Sequence, residues 1–175
     1  DLPDYYRRAM QDWSLQLDNP FKQKEWSNSK TAVLSSVVRK KYPLAKIATS
    51  QATIDPKALT AKLDVTVDSK QPVFFGDIQV EGGKRYPANV VTGLADFQYG
   101  APYDLDKLLD YQRALEQDGH FSNAMVHADL GSIRDDHVPI KVQVTEVPRQ
   151  KLDLGLRYDS AEGPGVRLGY DHYNV

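Results

Sequence analysis

The chain has 175 residues, of which 41% are hydrophobic and 26% charged, close to the averages of globular proteins, so wholesale disorder and a bundle of membrane helices are both disfavoured. Lys and Arg number 22 against 24 Asp and Glu, and the formal net charge of -2 leaves no overall basic field to hold nucleic acid. The absence of cysteine removes disulfide frameworks, cysteine-ligated metals and thiol catalysis. No run approaches the roughly 18 to 20 apolar residues of a spanning helix, although strands of about 9 to 11 residues escape that test. The chain starts at Asp1 without Met or a leader pattern and stops at Val175 inside strand-like alternation, so it reads as a segment of a longer polypeptide.

Pro3 and Asp4 suit a first helical turn, and Tyr6, Met10, Trp13 and Leu17 recur at helical spacing, which predicts a helix over 4–18 that stops at Asn19-Pro20. A second helix follows a polar start near 27–30. It carries Leu34, Val37, Val38 and Lys41 and ends on Arg39-Lys40-Lys41, where the helix dipole favours cations. Pro43 breaks it. A strand is expected over 44–54, then turn chemistry at Asp55-Pro56, then a strand in which Leu63, Val65 and Val67 alternate with Lys62, Asp64 and Thr66.

Phe74, Ile78 and Val80 begin a second block as a strand over 73–80, closed by Glu81-Gly82-Gly83. Pro87 opens a short helix with Val90, Val91 and Leu94. Asp104 caps a longer one with Leu105, Leu108, Tyr111 and Leu115 inward and Gly119 at its C-cap. Ala124, Val126, Ala128 and Leu130 then alternate with polar neighbours, and after a turn at 134–137 Ile140, Val142 and Val144 do the same. The blocks repeat. Tyr42 matches Phe121, and Leu63, Val65, Val67 match Ile140, Val142, Val144, while nothing ahead of the first block supplies a counterpart to the strand at 73–80. The last residues differ: Leu152, Leu154, Leu156 and Tyr158, then Val166, Leu168 and Tyr170, flank the turn 160–165, which predicts a hairpin of membrane-strand length with one apolar face. An ordinary soluble hairpin has the same pattern.

Phe75-Gly76-Asp77-Ile78-Gln79-Val80-Glu81-Gly82 resembles the first strand of a POTRA (polypeptide-transport-associated) domain, and the run 109–126, with Gly119 and Phe121, resembles the end of its second helix. The passage Val144-Thr145-Glu146-Val147-Pro148 into Leu154-Gly155-Leu156-Arg157-Tyr158-Asp159-Ser160 and Gly163-Pro164-Gly165-Val166 is similar to the junction between last POTRA domain and barrel in the TamA-like branch of the BamA superfamily. The resemblance implies an α+β chain of two tandem βααββ domains: 1–70, lacking its leading strand, and 71–149, followed at 150–175 by the first two strands of an outer-membrane barrel. It also implies a protein of the Gram-negative outer membrane with these domains in the periplasm, promoting insertion or secretion of unfolded β-barrel and autotransporter clients. Its partners would be those clients, an inner-membrane-anchored TamB-like protein and outer-membrane lipid, with no nucleic acid and no cofactor. Two-partner secretion and BamA-type transporters are the alternatives within the superfamily; a soluble tandem peptide-binding module is the alternative outside it.

On that reading the function is backbone pairing at sheet edges. The resemblance makes the third strand of each domain central and the second an edge, so partner-binding residues are Asn123, Ala124, Met125, Val126, His127 and Ala128 in one domain and Leu44, Lys46 and Ile47 in the other. The bland alternative is that these edges face only solvent or the neighbouring domain. Leu152, Leu154, Leu156 and Tyr158 fall on the first barrel strand, the lateral gate; without a closing partner it is expected to be disordered, to dimerise or to attach to another molecule's edge. No catalytic residue and no metal ligand is expected. Asp135, Asp136 and His137 are adjacent along a turn, which is not convergence of side chains, and His120, His127 and His172 lack metal-ligand spacing.

Overall fold

The computed structural model describes residues 19–148, 150–159 and 163–172, and ahead of them Arg7, Gln11, Trp13 and Leu15; for 151, 157–159, 163, 164, 171 and 172 it describes the backbone alone. Of the helix expected over 4–18, Arg7 and Gln11 have helical backbone, Trp13 and Leu15 do not, and the rest lies outside the described residues. In chain order come α1 (Gln23–Val38), β1 (Lys46–Asp55), β2 (Thr60–Asp68), β3 (Phe74–Glu81), α2 (Ala88–Thr92), α3 (Leu105–Gln117), β4 (Phe121–Ala128), a 3-10 turn (Leu130–Ser132), β5 (His137–Glu146), β6 (Gln150–Asp159) and β7 (Gly163–His172). They form three sheets, ordered β1-β2, β3-β5-β4 and β6-β7.

The second unit is built around α3 and β5. The Asp104 carboxylate accepts the N–H of Asp106 at 2.9 Å, satisfying one of the donors that a helix N-terminus leaves free. From there Leu108, Tyr111 and Leu115 recur on one face and are buried. Along β5 the period is two: Val138, Ile140, Val142 and Val144 are 0–2% exposed, while Pro139, Lys141, Gln143 and Thr145 point the other way. The helices therefore cover one sheet face and leave the opposite face wet. β3 runs parallel to β5, with Ile78 opposite Ile140 and Val80 opposite Val142, and β4 runs antiparallel on the other side, with Val126 opposite Val142. Phe75, Phe97 and Tyr111 stack inside, with ring centroids 4.2 Å and 5.6 Å apart in sequence. The Tyr111 hydroxyl donates to the Val91 carbonyl at 2.9 Å, which fastens α2 to α3; burial pushes its pKa up to about 12.

The first unit has less to bury. Leu15, Trp26, Val37 and Ala45 are its buried hydrophobics among the described residues, with Trp13 edge-on to Trp26 at 5.9 Å. β1 and β2 pair antiparallel, Ala52 opposite Leu63 and Ser50 opposite Val65. Leu63, Val65 and Val67 are only half-buried, unlike their counterparts on β5, because no strand lies along the outer edge of β2 among the described residues.

Several local expectations shift. α1 starts at Gln23 and ends at Val38, so Arg39, Lys40 and Lys41 lie beyond the helix, and Lys41 has φ of 58°. Tyr42 precedes β1, whereas Phe121 is the first residue of β4, so that part of the repeat does not align. α3 ends on Asp118 in extended conformation rather than on a left-handed Gly119.

What takes residues 39–41 out of the helix is a joint between the units. The Lys41 N–H donates to the Tyr103 carbonyl at 2.7 Å, the Leu105 N–H to Arg39 at 2.9 Å and the Val73 N–H to Lys41 at 2.7 Å. Lys40 Nζ lies 2.6 Å from the Asp104 carboxylate and 2.9 Å from that of Asp106, which also pairs with Arg39. Burial of Lys40 works to lower its pKa, but the hydrogen bonds and charges of the two carboxylates outweigh it and the pKa is raised. The hydrogen bonds from Lys40 and then Arg39 hold Asp106 below the usual carboxylate range. Arg39 and Lys40 of the basic run thus pair across the joint with Asp104 and Asp106.

The chain's two tryptophans, Trp13 and Trp26, both lie in the first unit, so tryptophan fluorescence isolates its unfolding. Lys40→Ala is expected to destabilise the first unit by about 1 kcal/mol, the upper end for a partly exposed ion pair. The fluorescence midpoint should fall by roughly 0.5 M urea below the transition followed by far-ultraviolet circular dichroism. Tyr111→Phe removes the hydroxyl's hydrogen bond to the Val91 carbonyl, which keeps the Leu94 N–H as a donor, and should cost about 0.5 to 1.5 kcal/mol by the same denaturation.

Candidate functional site

The sheet edges are the features that can do chemistry here, and they differ from one another. On β4, Asn123, Met125 and His127 are exposed on the wet face, Met125 by 53%, while Ala124 is buried and Val126 and Ala128 are half-buried against the helices. β4 is an edge strand, as the resemblance implies. One rung of its ladder is already taken: the Val126 N–H donates to Gln112 Oε1 of α3 at 3.2 Å, and Gln112 Nε2 donates to Glu116 at 2.8 Å. A side-chain amide thus stands where an added strand's carbonyl would be. Nothing in the alternation of β4 signals this cap; it requires α3 to lie alongside.

In the first unit Lys46 and Ile47 are on β1 and Leu44 lies just ahead of it, partly buried against the second unit's core. The ladder to β2 runs from Lys46 opposite Asp68 to Asp55 opposite Thr60, with an irregularity between Ile47 and Thr49. Both edges of this two-stranded sheet lack a strand partner among the described residues.

β6 and β7 pair along their whole length, from Gln150 opposite His172 to Asp159 opposite Gly163, and neither joins another sheet. Ten cross-strand pairs satisfy the inner backbone groups of both strands without outside help. Leu152, Leu154 and Leu156 stand opposite Tyr170, Leu168 and Val166, all 61–90% exposed, which makes one continuous apolar face. The side chain of Tyr158 lies outside the described residues.

The hairpin's entry is held by Glu146. Its Oε1 accepts the N–H groups of Lys84, Arg85 and Tyr86 at 2.9, 2.7 and 3.2 Å, and its Oε2 accepts from Arg85 Nε at 2.9 Å. Arg85 also donates to the Val147 carbonyl, and the Val147 N–H donates to His120 at 3.0 Å. Hydrogen bonds from the Arg85 side chain first, then from the backbone, lower the Glu146 pKa to about 2. Sequence reading missed this residue, because four donors converging on one carboxylate leave no mark in a linear pattern.

Asp135 and Asp136 have φ of 47° and 63° and form the two-residue turn between Arg134 and His137, whose backbones exchange hydrogen bonds of 3.0 and 2.8 Å. The turn reading holds. His137 stacks on Tyr99 at 4.6 Å, and among the described residues no cluster of His, Asp or Glu is arranged to hold a metal.

Residues 73–147 match the family model described as POTRA, Surface antigen variable number repeat. Among solved structures the chain is similar to the POTRA3-5 segment of BamA from Haemophilus influenzae, with TM-score 0.58 and 17% identity over 82% of this chain and 55% of that one. It is also similar to BamA from Haemophilus ducreyi lacking POTRA domains 1-3, with TM-score 0.66 and 18% identity over 99% of this chain and 33% of that one. The chain thus spans about half of the first protein and a third of the second. No curated protein matches it. At these identities the likeness is one of fold: an α+β architecture with the βααββ order of POTRA domains.

Because Glu146 has a folded pKa below its ordinary value of 4.5, its stabilisation is complete above that value and drains away as pH falls towards about 2. Glu146→Gln is expected to lower the urea midpoint at pH 7, and the gap from the unmodified protein should narrow between pH 4.5 and pH 2.

Proposed function

We propose that the chain is the periplasmic POTRA segment, with the start of the barrel, of an outer-membrane assembly factor of the BamA superfamily, closest in kind to its TamA-like branch. The observation that carries this reading is the order of units: a βααββ domain matching the POTRA family leads directly into a hairpin with one exposed apolar face. In this reading residues 1–70 form a further POTRA domain, 71–149 the next, and 150–175 the first two barrel strands. A leading strand would lie along β2 in parallel, as β3 lies along β5, and would cover Leu63, Val65 and Val67. The apolar hairpin face meets outer-membrane lipid and β6, with Leu152, Leu154, Leu156 and Tyr158, serves as the gate strand.

The work itself is non-catalytic. Unfolded outer-membrane and autotransporter clients add an extended segment to β4 along 123–128, or to the edge beginning at Leu44, Lys46 and Ile47, and a TamB-like inner-membrane partner hands them on. Each added backbone hydrogen bond contributes about 0.5 to 1.5 kcal/mol net, so a strand of four or five bonds, less its ordering cost, is held weakly and released readily. On β4 the incoming carbonyl must first displace Gln112 from Val126, which weakens capture further.

Photoreactive residues at Met125 and Lys46 should crosslink an unfolded β-barrel client, whereas the same probe at the exposed Lys24 of α1 should not. Equal labelling at all three positions, or none at Met125 and Lys46, removes the strand-addition reading.

A further inference from the structure

We infer that the outer edge of β3, over 77–81, is a further docking line, which accepts an extended polypeptide segment bearing Lys or Arg at alternate positions. The inference rests on the strand-addition reading above and names an edge and a partner chemistry that the reading leaves open.

This edge already pairs in part with the protein's own chain. The Phe75 N–H donates to Ala101 at 2.8 Å, the Gly100 N–H to Phe75 at 2.8 Å and the Tyr103 N–H to Val73 at 2.9 Å, with Phe74 bridged antiparallel to Pro102. The line stops at Gly100, whose φ of 80° turns the chain away. Beyond it the outward backbone groups of 77–81 meet no partner among the described residues, and no side chain caps them as Gln112 caps β4. An incoming strand therefore continues a line of antiparallel pairing that the fold has begun.

The charge of the partner follows from a bulge. Phe75 faces the helices, and strict alternation would send residue 77 the same way. The register shifts between Phe75 and Ile78, so Ile78 and Val80 turn inward and Asp77, Gln79 and Glu81 are exposed together on the wet face. Gly76 permits this close passage, since a Cβ there would lie 2.9 Å from the Val138 carbonyl oxygen. Neither Asp77 nor Glu81 has an ion-pair partner within 4 Å among the described residues; Lys141, the lysine of β5, is 2.7 Å from Asp129 and acts on Glu81 only at longer range. A strand added beside β3 sets its own alternate side chains about 4.5 to 5.5 Å from Asp77 and Glu81, where like charge is repelled and Lys or Arg is attracted. At the foot of the edge an open recess of about 400 Å³, lined by Gly76, Asp77, Tyr99, Arg134 and His137, takes the side chain that follows.

The test uses the full 175-residue chain with a photoreactive residue at Gln79 or, separately, at Met125, and two synthetic peptides in which Val alternates with Lys or with Glu. The lysine peptide should label position 79 about fivefold more than the glutamate peptide, as two exposed charge pairs allow. Asp77→Asn combined with Glu81→Gln should bring the two peptides to parity, and added salt should do the same. Equal labelling of position 79 by both peptides, or labelling at Met125 alone, overturns the inference while leaving strand addition standing. Labelling at neither position by either peptide overturns both.

Discussion

Each peptide group that leaves water must find a partner, and the molecule is organised by how far that requirement is met within each sheet. β5 has a neighbour on both sides and helices on one face, and its four inward side chains are sealed from solvent. β2 carries the same alternation with, among the described residues, a neighbour on one side only, and its equivalent side chains remain half-exposed. Two stretches of like pattern thus reach different states because one has a second strand beside it. Core formation here follows from completing a ladder.

Carboxylates do the remaining positioning, each serving two elements at once. Asp104 closes the N-terminus of α3 and receives Lys40 from the neighbouring unit, so the helix cap and the joint share one group. At a helix N-terminus the dipole already favours negative charge, which makes Asp104 and Asp106 fit anchors for the basic residues that follow α1. Glu146 repeats the device at the other end of the unit, gathering the loop after β3 and, through Arg85, the exit towards the hairpin. Entry and exit of the second unit are both tied to its own core elements.

A sheet edge left open is a template for aggregation unless something blunts it. The edges here are managed differently: β4 by a glutamine from the adjoining helix, β3 by its own chain over the first half and by the charges of Asp77 and Glu81 beyond it. The hairpin has the reverse character, with its inner backbone groups satisfied and its apolar side chains bare. Open main-chain groups thus mark the sheets of the first two units, and bare apolar side chains mark the hairpin.

Period-two alternation and capping chemistry were enough to place β2 to β7, α3 with its Asp104 cap and the Asp135-Asp136 turn, because each depends on neighbours a few residues away. The order of strands and helices likewise pointed to the strand-helix-helix-strand-strand unit over 74–146 and to the hairpin that follows it. Distant pairs were not legible: Arg39-Lys40-Lys41 looked like a solvated helix end until folding brought Asp104 and Asp106 beside it, and Gln112 and Glu146 bore no mark of the backbone groups they would meet. The early end of α1 and the phase change at Gly76 also came from partners far along the chain. Local periodicity decides which face of an element is apolar; which edges stay open and which charges meet are decided only when elements remote in sequence are packed together, since hydrogen bonds and ion pairs act over a few ångströms in space.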